Sequence, residues 1–240
     1  MSRAPSALCT ILTLALAGPV WAQEEARPGG APEALDPTAI QQLATEAGGA
    51  DRVSVNRATG TVRFVRMGPA AGVGTDQQRR APEIAASADR HGRVMAFLER
   101  HARAFGLTGP RTELGLLSAA PDRRGGEHLT YQQTYRNLPV FGAIFKAHFD
   151  AADNLTAVNG AIVPDINVDA TPTRAADDVA PVAVRAVAAE HEGVSVTVQH
   201  TRLLVFREGL FKGVPGPNRL AWEVEVGNRR DVREFVYVDA

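Results

Sequence analysis

The order of its segments predicts an α+β chain of two tandem modules, each a helix packed on an antiparallel β-sheet. Residues 82–106 carry Val94, Phe97, Leu98, His101 and Phe105 on one face at the helical period, and alternating segments follow them. Residues 176–193, ADDVAPVAVRAVAAEHEG, form a second helical segment, again followed by alternating ones. Helices segregated from meandering strands give an α+β architecture. No close sequence repeat links the two halves; only the order of elements does.

Composition sets the class. The 240 residues are 45% hydrophobic and 22% charged, a globular balance, and the formal net charge of -1 gives no nucleic-acid footprint. Arg3, the apolar run ALCTILTLALA and the closing VWA predict a signal peptide over residues 1–22, cut between Ala22 and Gln23. The product is expected to be secreted to the extracellular space or the periplasm. Cys9 is the sole cysteine, so the processed chain is expected to hold no disulfide. No second apolar run reaches about 18 residues, and no membrane span is expected in the mature chain.

The elements follow in order. Residues 23–50 read as a flexible leader, rich in Pro, Gly, Ala and Glu up to Pro37, with a short helix near its end stopping at Gly48. Val53 and Val55, then Val62, Phe64 and Arg66, alternate around Ala58-Thr59-Gly60 and predict a hairpin. A loop precedes the helix of 82–106, which Gly106 ends. Residues 111–120 predict a strand and the PDRRGG segment a turn. Leu129, Tyr131, Gln133 and Tyr135 then share one strand face; after RNLP, so do Phe141, Ala143, Phe145, Ala147 and Phe149. Residues 155–163 give a third strand. In the second module Asp177 and Asp178 suit a helix N-terminus, and Pro181 sits in its first turn. Strands are predicted at 201–208, at 219–226 with Leu220, Trp222, Val224 and Val226 on one face, and at 233–238.

Chemistry is sparse. His191-Glu192 opens like the zinc helix H-E-x-x-H, but the second ligand position is Ser195 and Gly193 interrupts the helix. His148, beside Lys146 and Asp150, reads as a surface residue; His101 reads as core. Phe141, Phe145, Phe149 and Trp222 read as core aromatics rather than a ligand groove. No nucleophile elbow or phosphate loop is present. Catalytic, cofactor-binding and metal-binding residues are therefore none, and the chain as given is not expected to be an enzyme.

The segments VSVNRATGTVRFV, AFLERHARAFGL and LTYQQTYRNLPVFGAIFKAHFDAADNLTAVNG closely resemble the fungalysin/thermolysin-type propeptide (FTP) domain. The most specific piece is Gln132, Gln133, Thr134 and Tyr135, then two residues, then Leu138, Pro139, Val140, Phe141 and Gly142. Asn137 stands where the family's turn usually has glycine. Residues 177–240 resemble a PepSY domain, through LVFREGLFKGVPGPNRLAWEVEV, which contains Trp222, and FVYVDA. The resemblance implies an FTP-like module over 51–168 and a PepSY-like module over 174–240, both cystatin-like. It further implies the pro-region of a secreted thermolysin- or fungalysin-like zinc metalloprotease, acting as intramolecular chaperone and inhibitor of its partner, the cognate catalytic domain. Zinc is expected only in that domain, which lies outside this chain; the chain reads as a truncated precursor or an isolated propeptide. The alternatives are a free-standing secreted or periplasmic PepSY-type protease inhibitor and, more remotely, a complete enzyme of unknown type.

Overall fold

A computed structural model describes residues 11–13, 35–68 and 90–240. The predicted cleavage site, Ala22 and Gln23, lies outside them, as do residues 23–34 of the leader and residues 82–89 of the predicted first long helix. The fold is mixed α+β. Contacts divide the described chain into a larger unit, 35–68, 90–166 and 207–217, and a smaller one, 11–13, 167–206 and 218–240.

In the larger unit, α1 (Pro37–Ala47) starts where the Asp36 side chain accepts the Ala39 N–H at 2.9 Å and stops at the left-handed Gly48. It buries Leu43, Ala44 and Ala47. Strands β2 (Val53–Val55) and β3 (Val62–Arg66) form the first hairpin, but Phe64 does not share the face of Val62. Ser54 pairs with Phe64 and Val55 with Val62, so Arg63 is an extra residue in β3. That bulge shifts the pleat: Val62 and Val65 enter the core, and Phe64 is left 37% exposed.

The long helix is α2 (Arg90–Arg100), broken at His101 and continued by α3 (Ala102–Phe105) up to the left-handed Gly106. Its predicted inward face holds: Val94, Phe97, Leu98, His101 and Phe105 are all buried. The segment predicted as a strand at 111–120 begins as a helical turn, α4 (Pro110–Glu113), because Pro110 fixes the first helical position and Glu113 reaches back to the N–H groups of Thr108 and Gly109. The strand proper is β4 (Leu114–Pro121). With β5 (Glu127–Tyr135), β6 (Leu138–Phe149) and β7 (Leu155–Gly160) the antiparallel order is β4-β5-β6-β7-β3-β2. Residues 161–163, predicted as strand, have left the ladder. Phe97, Phe105, Tyr131, Phe145 and Phe149 dominate the core between helices and sheet.

The smaller unit contains α5 (Ala176–Glu190), β8 (Thr197–Arg207, its last residue grouped with the larger unit), β9 (Asn218–Gly227) and β10 (Arg233–Asp239). Asp178 accepts the Ala175 N–H at the helix start. β9 and β10 pair antiparallel from Arg233–Gly227 to Asp239–Ala221 without a register shift. The helix presents Val179, Ala183 and Val187 to Val224, Val226, Val236 and Val238, a core of small side chains. On the outer edge, β1 (Ile11–Thr13), inside the predicted signal peptide, pairs in parallel with Phe235–Tyr237.

Candidate functional site: the glutamine-clamped hairpin

Hairpin β5–β6 turns through Arg136 and Asn137, both left-handed with φ 48° and 67°. Two consecutive positive φ values make the tight turn whose twist matches that of paired strands. Asn137 occupies a glycine-like conformation at modest cost because its short polar side chain tolerates it.

The adjacent glutamines diverge. Gln133 faces inward and is 1% exposed. Its Nε2 donates to the Val163 carbonyl at 2.9 Å, and its Oε1 accepts the Val163 N–H at 2.8 Å. The side-chain amide thus replaces a strand neighbour for a segment that has no ladder partner. Gln132 faces the opposite way. Its Nε2 lies 2.7 Å from the Val140 carbonyl, 2.9 Å from that of Gln133 and 3.2 Å from that of Ala143. These carbonyls surround a wide bulge: the register passes from Gln132–Ile144 to Thr134–Pro139. The bulge corrects two sequence expectations. Val140, not Phe141, is fully buried, and Tyr135 is half-buried rather than aligned with Tyr131.

Phe141 turns outward onto Phe211, with ring centroids 5.0 Å apart. Gly142 lets them meet: its φ is +69°, and a Cβ there would lie 2.7 Å from the Phe211 ring. Phe211 belongs to the 207–217 segment and remains 58% exposed. The sequence pattern assigns 207–208 to the end of a strand and the whole segment to the second module; its lone aromatic was the available signal. Beside it, Arg207 donates to the Ala58 carbonyl at 3.0 Å, and burial lowers its pKa against the opposing pull of Asp165. Leu138 and Pro139 are half-buried at the start of β6. Trp222 is half-buried in the smaller unit, its indole N–H donating to the Arg174 carbonyl at 2.8 Å.

The titratable groups are engaged structurally. His101 is 7% exposed, 3.0 Å from Glu46, and desolvation lowers its pKa despite that carboxylate. Arg90 and Arg93 hold Asp153 and keep its carboxyl below its ordinary range. His191 caps α5 and lies 3.4 Å from Glu234. His148 is not a solvated surface residue: it is half-buried, with Nδ1 2.9 Å from His128 Nδ1. Among the described residues no group of three or more His, Cys, Asp or Glu side chains converges as a metal site requires. Every motif side chain traced above supports backbone or packs.

Residues 112–162 match the Fungalysin/Thermolysin Propeptide Motif. The match covers the end of α4, the whole β4–β7 meander and the exit toward Val163. Similar curated proteins are the thermolysins of Alicyclobacillus acidocaldarius subsp. acidocaldarius and Bacillus caldolyticus, each 28% identical over 145 residues, which is 55% of this chain and 24% of the relative. The chain thus spans about a quarter of their length. The matched segment is a propeptide motif, which is not catalytic.

Proposed function

We propose that this chain is the pro-region of a secreted thermolysin- or fungalysin-like metalloprotease, serving its cognate catalytic domain as folding template and inhibitor. The observation that carries the reading is the propeptide motif over 112–162, coinciding with a hairpin whose polar side chains brace structure. In this reading 51–168 is the FTP-like module and 174–240 a PepSY-like one, both cystatin-like; zinc is held by the partner, and residues 1–22 direct export. Gln132, Gln133 and the Leu138–Gly142 run act by shaping a docking surface. A factor that binds the native partner better than its unfolded chain stabilises the native form by linkage. A sheet edge offers backbone groups on which a partner can be ordered. β4 is such an edge: it pairs only with β5 among the described strands, bears no charged residue, and leaves Leu116 and Leu117 46% and 60% exposed.

The test is addition in trans. Purified Gln23–Ala240 at micromolar concentration should slow peptide cleavage by the cognate protease and raise its refolding yield from denaturant. Unchanged cleavage and unchanged yield would remove the reading.

A further inference from the structure

We propose that His128 and His148 form a cross-strand lock in the β5–β6 hairpin that holds with one hydrogen between the rings and opens when both are protonated. The two residues are directly opposed in the register. Their Nδ1 atoms are 2.9 Å apart, with rings edge to face at a centroid distance of 4.8 Å. Two ring nitrogens at that separation need one donor and one acceptor. An imidazolium has only donors, so a doubly charged pair leaves no acceptor in the contact and sets two like charges face to face.

The far nitrogens are also engaged. His148 Nε2 donates to Asn159 Oδ1 at 2.5 Å, and His128 Nε2 lies 3.5 Å from Asp122 Oδ2. With its Nε2 donating, neutral His148 has a bare Nδ1 that accepts from His128 Nδ1–H, and the Asp122 contact gains a hydrogen only when His128 is protonated. The charges around the pair are of both signs. On the same row, β3 contributes Arg66 across the neutral Ala157 of β7, and β4 contributes the neutral Ala120. Two residues along β6 lie Lys146 on one side and Asp150 on the other, and Asp150 is occupied with Asn154. Asp122 faces His128 and also accepts the backbone N–H groups of Arg124 and Gly126.

The lock concerns the pro-region's own stability and stands whether or not a protease is the partner. The test is a double-mutant cycle on the full chain with His128→Gln, His148→Gln and the double variant, unfolded in denaturant with EDTA present at pH 8 and pH 5. Groups outside the pair, including His101, cancel in the cycle. The expected coupling stabilises the fold about fivefold in the unfolding constant at pH 8, the scale of one hydrogen bond, and reverses sign at pH 5. Coupling that is absent at pH 8, or equal at both pH values, overturns the proposal. Imidazole nitrogen shifts of the unaltered chain give a second reading. One bare and one protonated Nδ1 at pH 8, both protonated at pH 5 with loss of the cross-strand contact, support the lock; a persisting contact at pH 5 overturns it.

Discussion

The two units build their cores by different means. The larger one fills its core with Phe97, Phe105, Tyr131, Phe145 and Phe149, and its sheet is interrupted by register shifts in four of its strand pairs. The smaller one clusters valine and alanine against its helix, with Trp222 at the margin and Leu204, Phe206 and Tyr237 buried besides, and its β9–β10 ladder has no shift. Bulky aromatics need room that a regular pleat does not provide, and bulges re-aim side chains to make it. Small β-branched residues fit the regular pleat but bury less area each. The irregular unit is therefore expected to be the more stable of the two.

That ordering can be broken at its strongest point first. Phe145→Ala removes a ring that meets Phe105 edge-on at 5.7 Å and should cost about 3–5 kcal/mol. Far-UV circular dichroism in denaturant would register the loss. Val224→Ala, its counterpart in the valine core, should cost roughly 2 kcal/mol. In Gln23–Ala240, Trp222 is the sole tryptophan, so its fluorescence reports the smaller unit directly. Fluorescence should change at lower denaturant than circular dichroism in the parent chain. Phe145→Ala should narrow that gap, and Val224→Ala should widen it. Coincident transitions in all three proteins would make the units one cooperative block.

Smaller effects sharpen the comparison. Gln133→Ala leaves both polar groups of Val163 without their partner and should cost about 1–3 kcal/mol in the larger unit, leaving the Trp222 transition in place. His101 belongs to the same unit. Its folded pKa lies below 6.5, so the unfolded chain takes the proton first. Stability should fall as pH drops through about 6.5 and level off below the folded value. His101→Gln should flatten that slope in the circular-dichroism transition while lowering stability at pH 8. Asp153 acts oppositely in range: its lowered pKa stabilises above about pH 4 and is lost in stronger acid. Least of all, Asn137→Gly should shift stability by a few tenths of a kcal/mol, whereas a β-branched residue there should cost about 1 kcal/mol or more.

Legibility followed the same divide. Regular periodicity is visible in sequence, so the α2–α3 face, α5, β9 and β10 were readable from the spacing of Val, Leu and Phe, and α1 from its stop at Gly48. Bulges hide because each is one or a few extra residues that preserve hydrophobic content while changing its phase. Hence Phe64 and Phe141, apolar and in apparent step, point away from the core, while Val65 and Val140 enter it. The glutamines were legible as a family motif, but their task was not. Whether an amide ends up under a bulge or against a segment thirty positions along depends on tertiary geometry that no local pattern encodes. The histidine pair was missed likewise: His128 and His148 lie on separate strands, and only the register opposes them.

The bond between Gln133 and Val163 has a consequence for what comes after the sheet. A strand held by a neighbouring strand can slip by one pair and remain bonded. A segment held by one side-chain amide has a single docking position, since that amide offers one acceptor and one donor face at fixed reach. The point where the polypeptide departs from this layer is thereby pinned like a rope at a cleat, and lengthening or trimming the strands nearby would not move it.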